Sequence, residues 1–477
     1  MNSNLKLSLL FIFTITIAQC QSTSEVKKQK VVNTQKTKPN FIVIYTDDHG
    51  YSDLSIQGIK TDIKTPNIDK LAHNGVLMES GYSTAPQCVP SRGGIITGRF
   101  QSRFGLELNG DSLDGFNKQI TIAERLKTAG YATGMSGKWH LGPVTQITQH
   151  GFDYVYYKNS KNRGVANFNF QGKSFPLAPE NTKMYHIDAC SKAATTFIEM
   201  HKNKPFFFYL AYRAPHVPLD ATQKYLDRFP GDMPERRRQA LAMLSAVDDG
   251  VGEIMKTLDK NNLTENTVIF IIGDNGAPLK ITKEDKPGGG PGWDGSLNDP
   301  LNGEKGTLIE GGIRTPFVVY WKDKLVNGIY KHPVSAMDFA ATAIELAGLT
   351  KDDKLDGVNL IPFLNGKKTG APHDKLCWRW GGQSAIRKGK WKFLKGDKRE
   401  YLFNLNNDIE EKNDLLLKHP EIASQLKKEL LVWSKGLAPK GFSKGKMSKN
   451  ANIYFDYYLD GIPYSKAKLK MKTKKRN

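Results

Sequence analysis

Two short clusters of oxygen donors stand where apolar runs stop. Asp47 and Asp48 follow Ile42-Val43-Ile44-Tyr45-Thr46, and Asp274 and Asn275 follow Val268-Ile269-Phe270-Ile271-Ile272-Gly273. Three carboxylates and an amide oxygen are hard ligands of the kind calcium or magnesium takes, and no histidine or cysteine pair has zinc-like spacing. Each cluster has a plainer use by itself: Asp-Asp caps a helix, and Asp-Asn-Gly closes a hairpin. Two such clusters at the tips of two runs in one sheet favour a cation site.

A cysteine of unusual context joins them. Cys88-Val89-Pro90-Ser91-Arg92 lies in the stretch GYSTAPQCVPSRGGIITGR, with no second cysteine nearby. The chain has four cysteines, at 20, 88, 190 and 377, too few for a disulfide framework. Cys190 and Cys377 remain as either one bridge or two buried thiols. Arg92 lies one helical turn beyond Cys88, so the two share a face where a helix begins. Groups suited to proton transfer or anion binding occur as Lys138 and His140 in GKWHLG, His216 in YRAPHVPL and Lys305 in GEKG. Taken alone, such a histidine is more often structural, and such a lysine a surface charge.

These positions are far apart in the chain and need a scaffold that gathers them. NFIVIYTDDHG reads as a buried strand, and TPNIDKLAHNG as a helix with Thr65 as N-cap, Pro66 in its first turn and Gly75 at its end. ITIAERLKTAG followed by YATGMSGKWHLG repeats helix then strand. PFFFYLAYRAPH and NTVIFIIGDNG add two strands, and VSAMDFAATAIELAG a helix. The alternation predicts an α/β fold, a large mostly parallel central sheet flanked by helices. Ligands of such sheets bind beyond the carboxyl ends of the strands. Asp47-Asp48, Lys138/His140, His216 and Asp274-Asn275 all fall there. The catalytic domain is expected over 38–370, a smaller C-terminal α+β domain over 371–440, and a basic, partly disordered tail over 441–477.

PQCVPSRGG resembles the signature of the formylglycine-dependent (type I) sulfatases of the alkaline-phosphatase-like superfamily. GKWHLG, the APH of YRAPHVPL, GDNG and GEKGTLIEGGIRTP look like further blocks of that family, in its order, and the resemblance spans residues 38–435. It implies that Cys88 becomes formylglycine, a side-chain aldehyde, through a formylglycine-generating enzyme or an anaerobic sulfatase-maturating enzyme. A thiolate attacking sulfur would leave a thiosulfate ester with no easy exit. A hydrated aldehyde carries two hydroxyls: one attacks the sulfate sulfur and displaces the alcohol, and deprotonation of the other expels sulfate and restores the aldehyde.

The same resemblance implies the roles. Asp47, Asp48, Asp274 and Asn275 hold one calcium ion, Ca2+, with an oxygen of residue 88 completing the shell. Arg92 stabilises the diol and the metal site, and Lys138 and Lys305 bind sulfate oxygens. His140 takes the diol proton; His216 binds substrate and protonates the departing sugar oxygen. Pro90 and Ser91 serve the maturation enzyme, and Glu310-Gly311-Gly312-x-Arg314 shapes the loop behind Lys305.

Charge and targeting narrow the partner. Lysine and arginine number 69 against 48 acids in 477 residues, a net charge of +21, which favours a polyanion. Residues 1–20 read as a signal peptide, with Lys6 and an apolar run from Leu7 to Ala18 too short to cross a bilayer, and 21–37 as a flexible spacer. IAQC leaves Cys20 either a lipidation site or an ordinary leader residue. The expectation is export to the periplasm, or the cell surface or outer membrane if Cys20 is lipidated, with no other membrane attachment and no nucleic acid partner. A sulfated oligo- or polysaccharide of ulvan, carrageenan or fucoidan type then fits best. Trp293, Trp378, Arg379 and Trp380 stand as sugar-stacking candidates or as core. Two alternatives stay open: a phosphate or phosphonate ester hydrolase of the same superfamily, and a non-catalytic sulfated-polysaccharide-binding protein. The intact Cys88, Arg92, Lys138, His140, His216 and Lys305 argue against the latter.

Overall fold

The computed structural model describes residues 38–158, 166–170, 173–176, 184–279, 293–350, 352–439 and 446–464. Residues 1–37 with Cys20, expected as signal peptide and spacer, residues 280–292 of the loop before Lys305, and residues 465–477 lie outside the described residues. The first strands are β1 (Asn40–Asp47), β2 (Val76–Met78), β3 (Gly81–Tyr82), β4 (Ala132–Gly137), β5 (Tyr154–Lys158), β6 (Ala166–Phe170) and β7 (Lys173–Pro176). β8 (Phe206–Pro215), β9 (Thr267–Gly273), β10 (Phe317–Tyr320), β11 (Gly328–Tyr330) and β12 (Val334–Ser335) follow.

Ten of these form one sheet in the order β11-β2-β10-β9-β1-β8-β4-β5-β6-β7. The central strands β9, β1, β8, β4 and β5 are parallel, whereas β10, β6 and β7 join antiparallel. The predicted α/β architecture is the one observed. β1 and β9 are buried along their whole length because helices cover both faces, so they read as unbroken apolar runs rather than as alternating ones. Ile42, Ile44, Phe208 and Ile271 pack under the helices His186–His201 and Glu235–Lys260. Phe41, Val43, Tyr209 and Phe270 face the helices Cys88–Thr97, Ile122–Thr128 and Asp338–Leu346. Each such side chain contributes about 1.5–3 kcal/mol when fully buried.

Register decides where the site forms. Gly137, Ala211, Tyr45 and Ile272 lie side by side across β4, β8, β1 and β9. The chain segments leaving these strands therefore emerge together at one edge of the sheet. One local expectation needs correcting: Thr65 precedes the helix Pro66–His73, but its hydroxyl donates to the Asp69 carboxylate rather than capping a backbone N–H.

The C-terminal part is an antiparallel meander of β13 (Leu376–Trp380), β14 (Gln383–Lys388), β15 (Trp391–Gly396) and β16 (Arg399–Asn404). The helix Pro420–Ser434 packs on Ile386, Phe393 and Leu402 of one face. Residues 446–464, which the sequence places in the basic tail, contain a helix, Lys449–Tyr458, whose Phe455 is buried with Ala385, Leu394 and Phe403 on the other face. Trp378, Trp380 and Arg379 are core rather than a sugar platform. The Trp378 indole donates to Ser83 O at 3.0 Å, and Arg379 pairs with Glu107. Cys190 and Cys377 are separate buried thiols, not a bridge.

Candidate active site

Each strand tip delivers its residues through a short, conformationally specific segment. Asp47 is the last residue of β1, and Asp48 turns the chain with a left-handed φ of 58°. Lys138 follows β4, and His140 also sits in the left-handed region, φ 59°. For non-glycine residues this conformation costs energy and persists only where the surroundings impose it, a pattern concentrated at functional sites. Asp274 and Asn275 leave β9, and His216 leaves β8. Cys88 opens the helix Cys88–Thr97, where Pro90 sits in the first turn and removes no intrahelical hydrogen bond. Its partner on that face, Arg92, is fully buried.

The structure gathers the ten predicted residues, with Cys20 outside the described chain. The Cys88 thiol donates to Asp47 Oδ1 at 3.2 Å and lies 3.8 Å from Asp48 Oδ1. Lys305 Nζ donates to Asp48 Oδ1 at 2.5 Å and to Cys88 Sγ at 3.1 Å. Lys138 Nζ donates to Asp47 Oδ2 at 2.6 Å. Arg92 spans the floor, donating to Asp274 Oδ2 at 2.8 Å and to the Lys138 carbonyl at 2.9 Å. Asn275 Nδ2 donates to Asp48 Oδ1 at 2.6 Å, and His216 Nε2 stands 3.6 Å from Asp48 Oδ2. Burial is graded: Asp47, Arg92 and Asp274 side chains are 0% exposed, Lys138 9%, Lys305 13% and His216 26%. His140 is exposed. The carboxylates form a floor, and the cations and imidazoles form an open mouth.

Electrostatics separates the roles. Burial, with Asp274 and Asp47 beside it, pushes the Cys88 thiol far up and keeps it protonated. It is therefore no thiolate nucleophile. Burial alone would raise Asp47, but Lys138, His216 and Arg92 hold it well below the usual carboxylate range. Asp274 is raised by burial and by Asp47, with Arg92 opposing. Burial would deprotonate Lys305, and Asp48 reverses this to keep it charged. Although part of its side chain reaches solvent, desolvation among the site residues and the charges of Lys138 and Arg92 hold His140 below its ordinary value, hence neutral.

The donor set fits a hard divalent cation. One ligand atom each of Asp47, Asp48, Cys88 and His216 lies within 4.8 Å of the others. The Asn275 carbonyl oxygen is buried beside them without a hydrogen-bond partner, an expensive state for an amide unless a cation takes it. A further cation would also relieve the raised Asp274. Asp47, Asp48, Asp274 and Asn275 supply only oxygen ligands, the chemistry of calcium or magnesium rather than zinc.

Several positioning residues were invisible in the sequence. The Tyr45 hydroxyl bonds Ser91 Oγ at 2.8 Å, giving Ser91 a structural task in the helix that Cys88 opens. Asn109 Oδ1 accepts the Val89 N–H at 3.0 Å and so caps that helix from another loop, a task Gln87 at the N-cap does not perform. Gly276 packs where a Cβ would lie 1.8 Å from the Gly311 carbonyl, which joins the GDNG turn to the Glu310-Gly311-Gly312 segment. Gln383 of the small sheet accepts the Leu308 N–H at 2.8 Å and donates to Gly306 O at 3.1 Å, clamping the loop that carries Lys305. Such pairings link positions 20 to 77 residues apart and leave no local pattern.

Fold and site together define a hydrolase of the sulfatase class. The family model described as Sulfatase matches residues 39–349, and the chain belongs to the sulfatase family of sulfuric ester hydrolases. It is 32% identical to the uncharacterized sulfatase YdeN of Escherichia coli (strain K12), over 72% of this chain and 69% of that one. It is 31% identical to the N-acetylgalactosamine-6-sulfatase of Homo sapiens, over 68% and 66% of the two chains. Among solved structures, Ps i-CgsB in complex with k-i-k-neocarrahexaose superposes with a TM-score of 0.75 at 30% identity, covering 91% of this chain and all of the other.

Proposed function

We propose that the protein is an exported enzyme that removes sulfate from a sulfated polysaccharide of carrageenan type, or from its oligosaccharides, after Cys88 has been converted to formylglycine. The observation that carries this reading is the setting of Cys88: a thiol held protonated at a helix start, between two carboxylates and within 3.1 Å of Lys305. As a thiol it has no use there. As a hydrated aldehyde, the same position supplies a hydroxyl nucleophile with a built-in release step. Calcium held by Asp47, Asp48, Asp274 and Asn275 would supply Lewis acidity and charge neutralisation at that point.

The chain's own residues do the remainder. Lys138 and Lys305 present ammonium groups at the mouth, where they bind sulfate oxygens as point charges. Arg92 fixes Asp274 and the backbone at Lys138 and so holds the floor rigid. His140, held neutral, accepts a proton. His216 donates through Nδ1 to the Val217 carbonyl at 2.6 Å, which turns Nε2 toward the site; with a second proton there, as the imidazolium, it is the donor to a departing oxygen. The leader sequence and the excess of cationic residues support export toward an extracellular polyanion, to the periplasm, or to the cell surface if Cys20 is lipidated. The substrate class draws support from the likeness to the structure holding neocarrahexaose.

The fold alone does not separate sulfate from phosphate chemistry, since a phosphonate monoester hydrolase of Agrobacterium radiobacter shares it with a TM-score of 0.63 at 18% identity. The test uses protein produced with a maturation enzyme. Mass spectrometry is expected to show the Cys88 peptide about 18 Da lighter than the unmodified one, and carrageenan oligosaccharides are expected to release sulfate. Cys88→Ala abolishes turnover. An unmodified peptide, or faster cleavage of matched phosphate esters, overturns the reading.

A further inference from the structure

We propose a second anion-binding site, a basic pocket that holds a sulfate group of the saccharide chain at a distance from the ester being cleaved; it rests on the sulfatase reading above. A cavity of about 800 Å3 opens between the end of β2, the 331–333 segment, the approach to β13 and the turn joining β14 to β15. Its wall carries five cationic side chains, Arg314, Lys331, Lys375, Arg387 and Lys390, against two carboxylates, Glu79 and Asp374. Lys375 pairs with Glu429 at 2.8 Å and Arg314 with Glu310 at 3.4 Å, and Asp374 is shared by Lys375 at 3.9 Å and Lys388 at 3.5 Å, so the charge left for a ligand is that of Lys331, Lys390 and Arg387.

Two of the cations are built in rather than drifting on the surface. Arg314 and Arg387 are 2% and 6% exposed. Arg314 Nε donates to Glu79 O at 2.7 Å, and its guanidinium stacks 5.1 Å from the Tyr51 ring centre. Arg387 Nε donates to Gly389 O at 3.3 Å, and its guanidinium lies 5.3 Å from the Tyr82 ring centre. Rigid guanidinium planes at the base with mobile lysines at the rim form an arrangement suited to a planar-faced oxyanion such as a sulfate ester. Lys331 and Lys390 have no carboxylate partner among the described residues, so their charge is available to a ligand.

The pocket lies at the far end of the small sheet from the catalytic mouth. β13 starts at Leu376 in the pocket wall and ends at Trp380, whose ring lies 3.5 Å from a Cβ added to Gly306, next to Lys305. Five residues of strand span about 13 Å between the first and last Cα. One sulfated sugar cannot touch both places, whereas a chain of several can. The pocket would then raise affinity for polymer without changing chemistry at the ester.

The test pairs binding with turnover. Binding of a carrageenan hexasaccharide to the full-length Cys88→Ser protein is compared with binding to Cys88→Ser carrying Lys331→Glu and Lys390→Glu, by calorimetry at low salt. About a tenfold loss of affinity is expected, with the desulfated hexasaccharide binding neither protein. In the matured enzyme the same two substitutions raise KM for the hexasaccharide and leave kcat/KM for a small aryl sulfate unchanged. Equal affinity in the two proteins overturns the site, as does binding of inorganic sulfate in the pocket with no gain for the saccharide. Absence of sulfate release from both the hexasaccharide and the aryl sulfate by the unsubstituted matured enzyme instead overturns the sulfatase reading, and the binding comparison still judges the pocket.

Discussion

At the scale of single residues, the site divides into groups that are fixed and groups that face the incoming ester. Asp47, Asp274 and Arg92 are sealed, and their mutual contacts leave them one geometry. His216 is different. Its Nε2 stands 3.6 Å from Asp48, and it keeps a quarter of its side chain in solvent. Burial lowers its pKa, while Asp47 and Asp48 pull the other way without reversing it. The imidazolium form is thereby a stronger acid than an ordinary histidine and serves best where the leaving oxygen needs a proton, as a sugar alcohol does and an activated phenolate does not. His216→Ala is therefore expected to lower kcat/KM on sulfated sugars about 10²–10⁴-fold and to spare nitrophenyl sulfate by comparison. Equal losses on both substrates would remove the proton-donor role. Most of these residues were legible in the sequence because each occupies a distinctive string, Asp47-Asp48 after an apolar run and Cys88 before Pro90-Ser91-Arg92. Asn109, Tyr45 and Gln383 were not, since capping, hydroxyl pairing and clamping depend on which loops the fold brings together.

At the scale of elements, Asp338 shows how one carboxylate ties segments that the strand pattern alone would leave loose. It opens the helix Asp338–Leu346, accepts the Ser335 N–H at 2.8 Å and the Val358 N–H at 3.0 Å, and bonds His373 Nε2 at 2.8 Å. Helix, loop and the approach to β13 thus share one buried anion. Burial of His373 works against its charge, but Asp338, aided by Asp356, raises its pKa above the ordinary histidine value. The direction sets the sign. A histidine with a raised folded pKa contributes stability that is complete below the unfolded value near 6.5 and disappears as pH climbs through the folded value. The urea midpoint is expected to fall as pH rises above the ordinary histidine value of about 6.5, and His373→Gln is expected to flatten that slope while lowering the midpoint at the acid end. A variant with the unsubstituted slope would show that His373 is not the titrating group. The helices and central strands were readable because their apolar runs are long and unbroken. The helix Lys449–Tyr458 was obscured by lysines on both sides, although Ile453, Tyr454 and Phe455 form its buried face.

At the scale of the whole molecule, the small sheet is joined to the large one by a buried ionic network as well as by apolar packing. Lys392 on β15 is fully buried, 2.8 Å from Glu310 and 2.8 Å from Glu411. Glu310 also accepts from the Tyr82 hydroxyl at 2.6 Å and pairs with Arg314. It begins the short helix Glu310–Ile313 that follows the Lys305 loop, which Gln383 clamps from the small sheet and Tyr458 touches through Glu304. Lys305 is thereby held by residues contributed from beyond position 370. Burial raises Glu411, with Glu310 adding to the rise and Lys392 opposing it, whereas Lys392 and Arg314 hold Glu310 low despite its burial, at about 2. Removing Lys392 would leave two carboxylates competing without their shared cation. Lys392→Met is expected to cost about 3–5 kcal/mol in urea unfolding, since breaking a buried pair exposes the desolvation penalty of the group left behind. Because the loop hangs on the same network, KM for sulfate esters should rise at temperatures where the variant is still folded. A stability loss without any change in KM would confine the network to holding the two sheets together and leave the placement of Lys305 to Gln383.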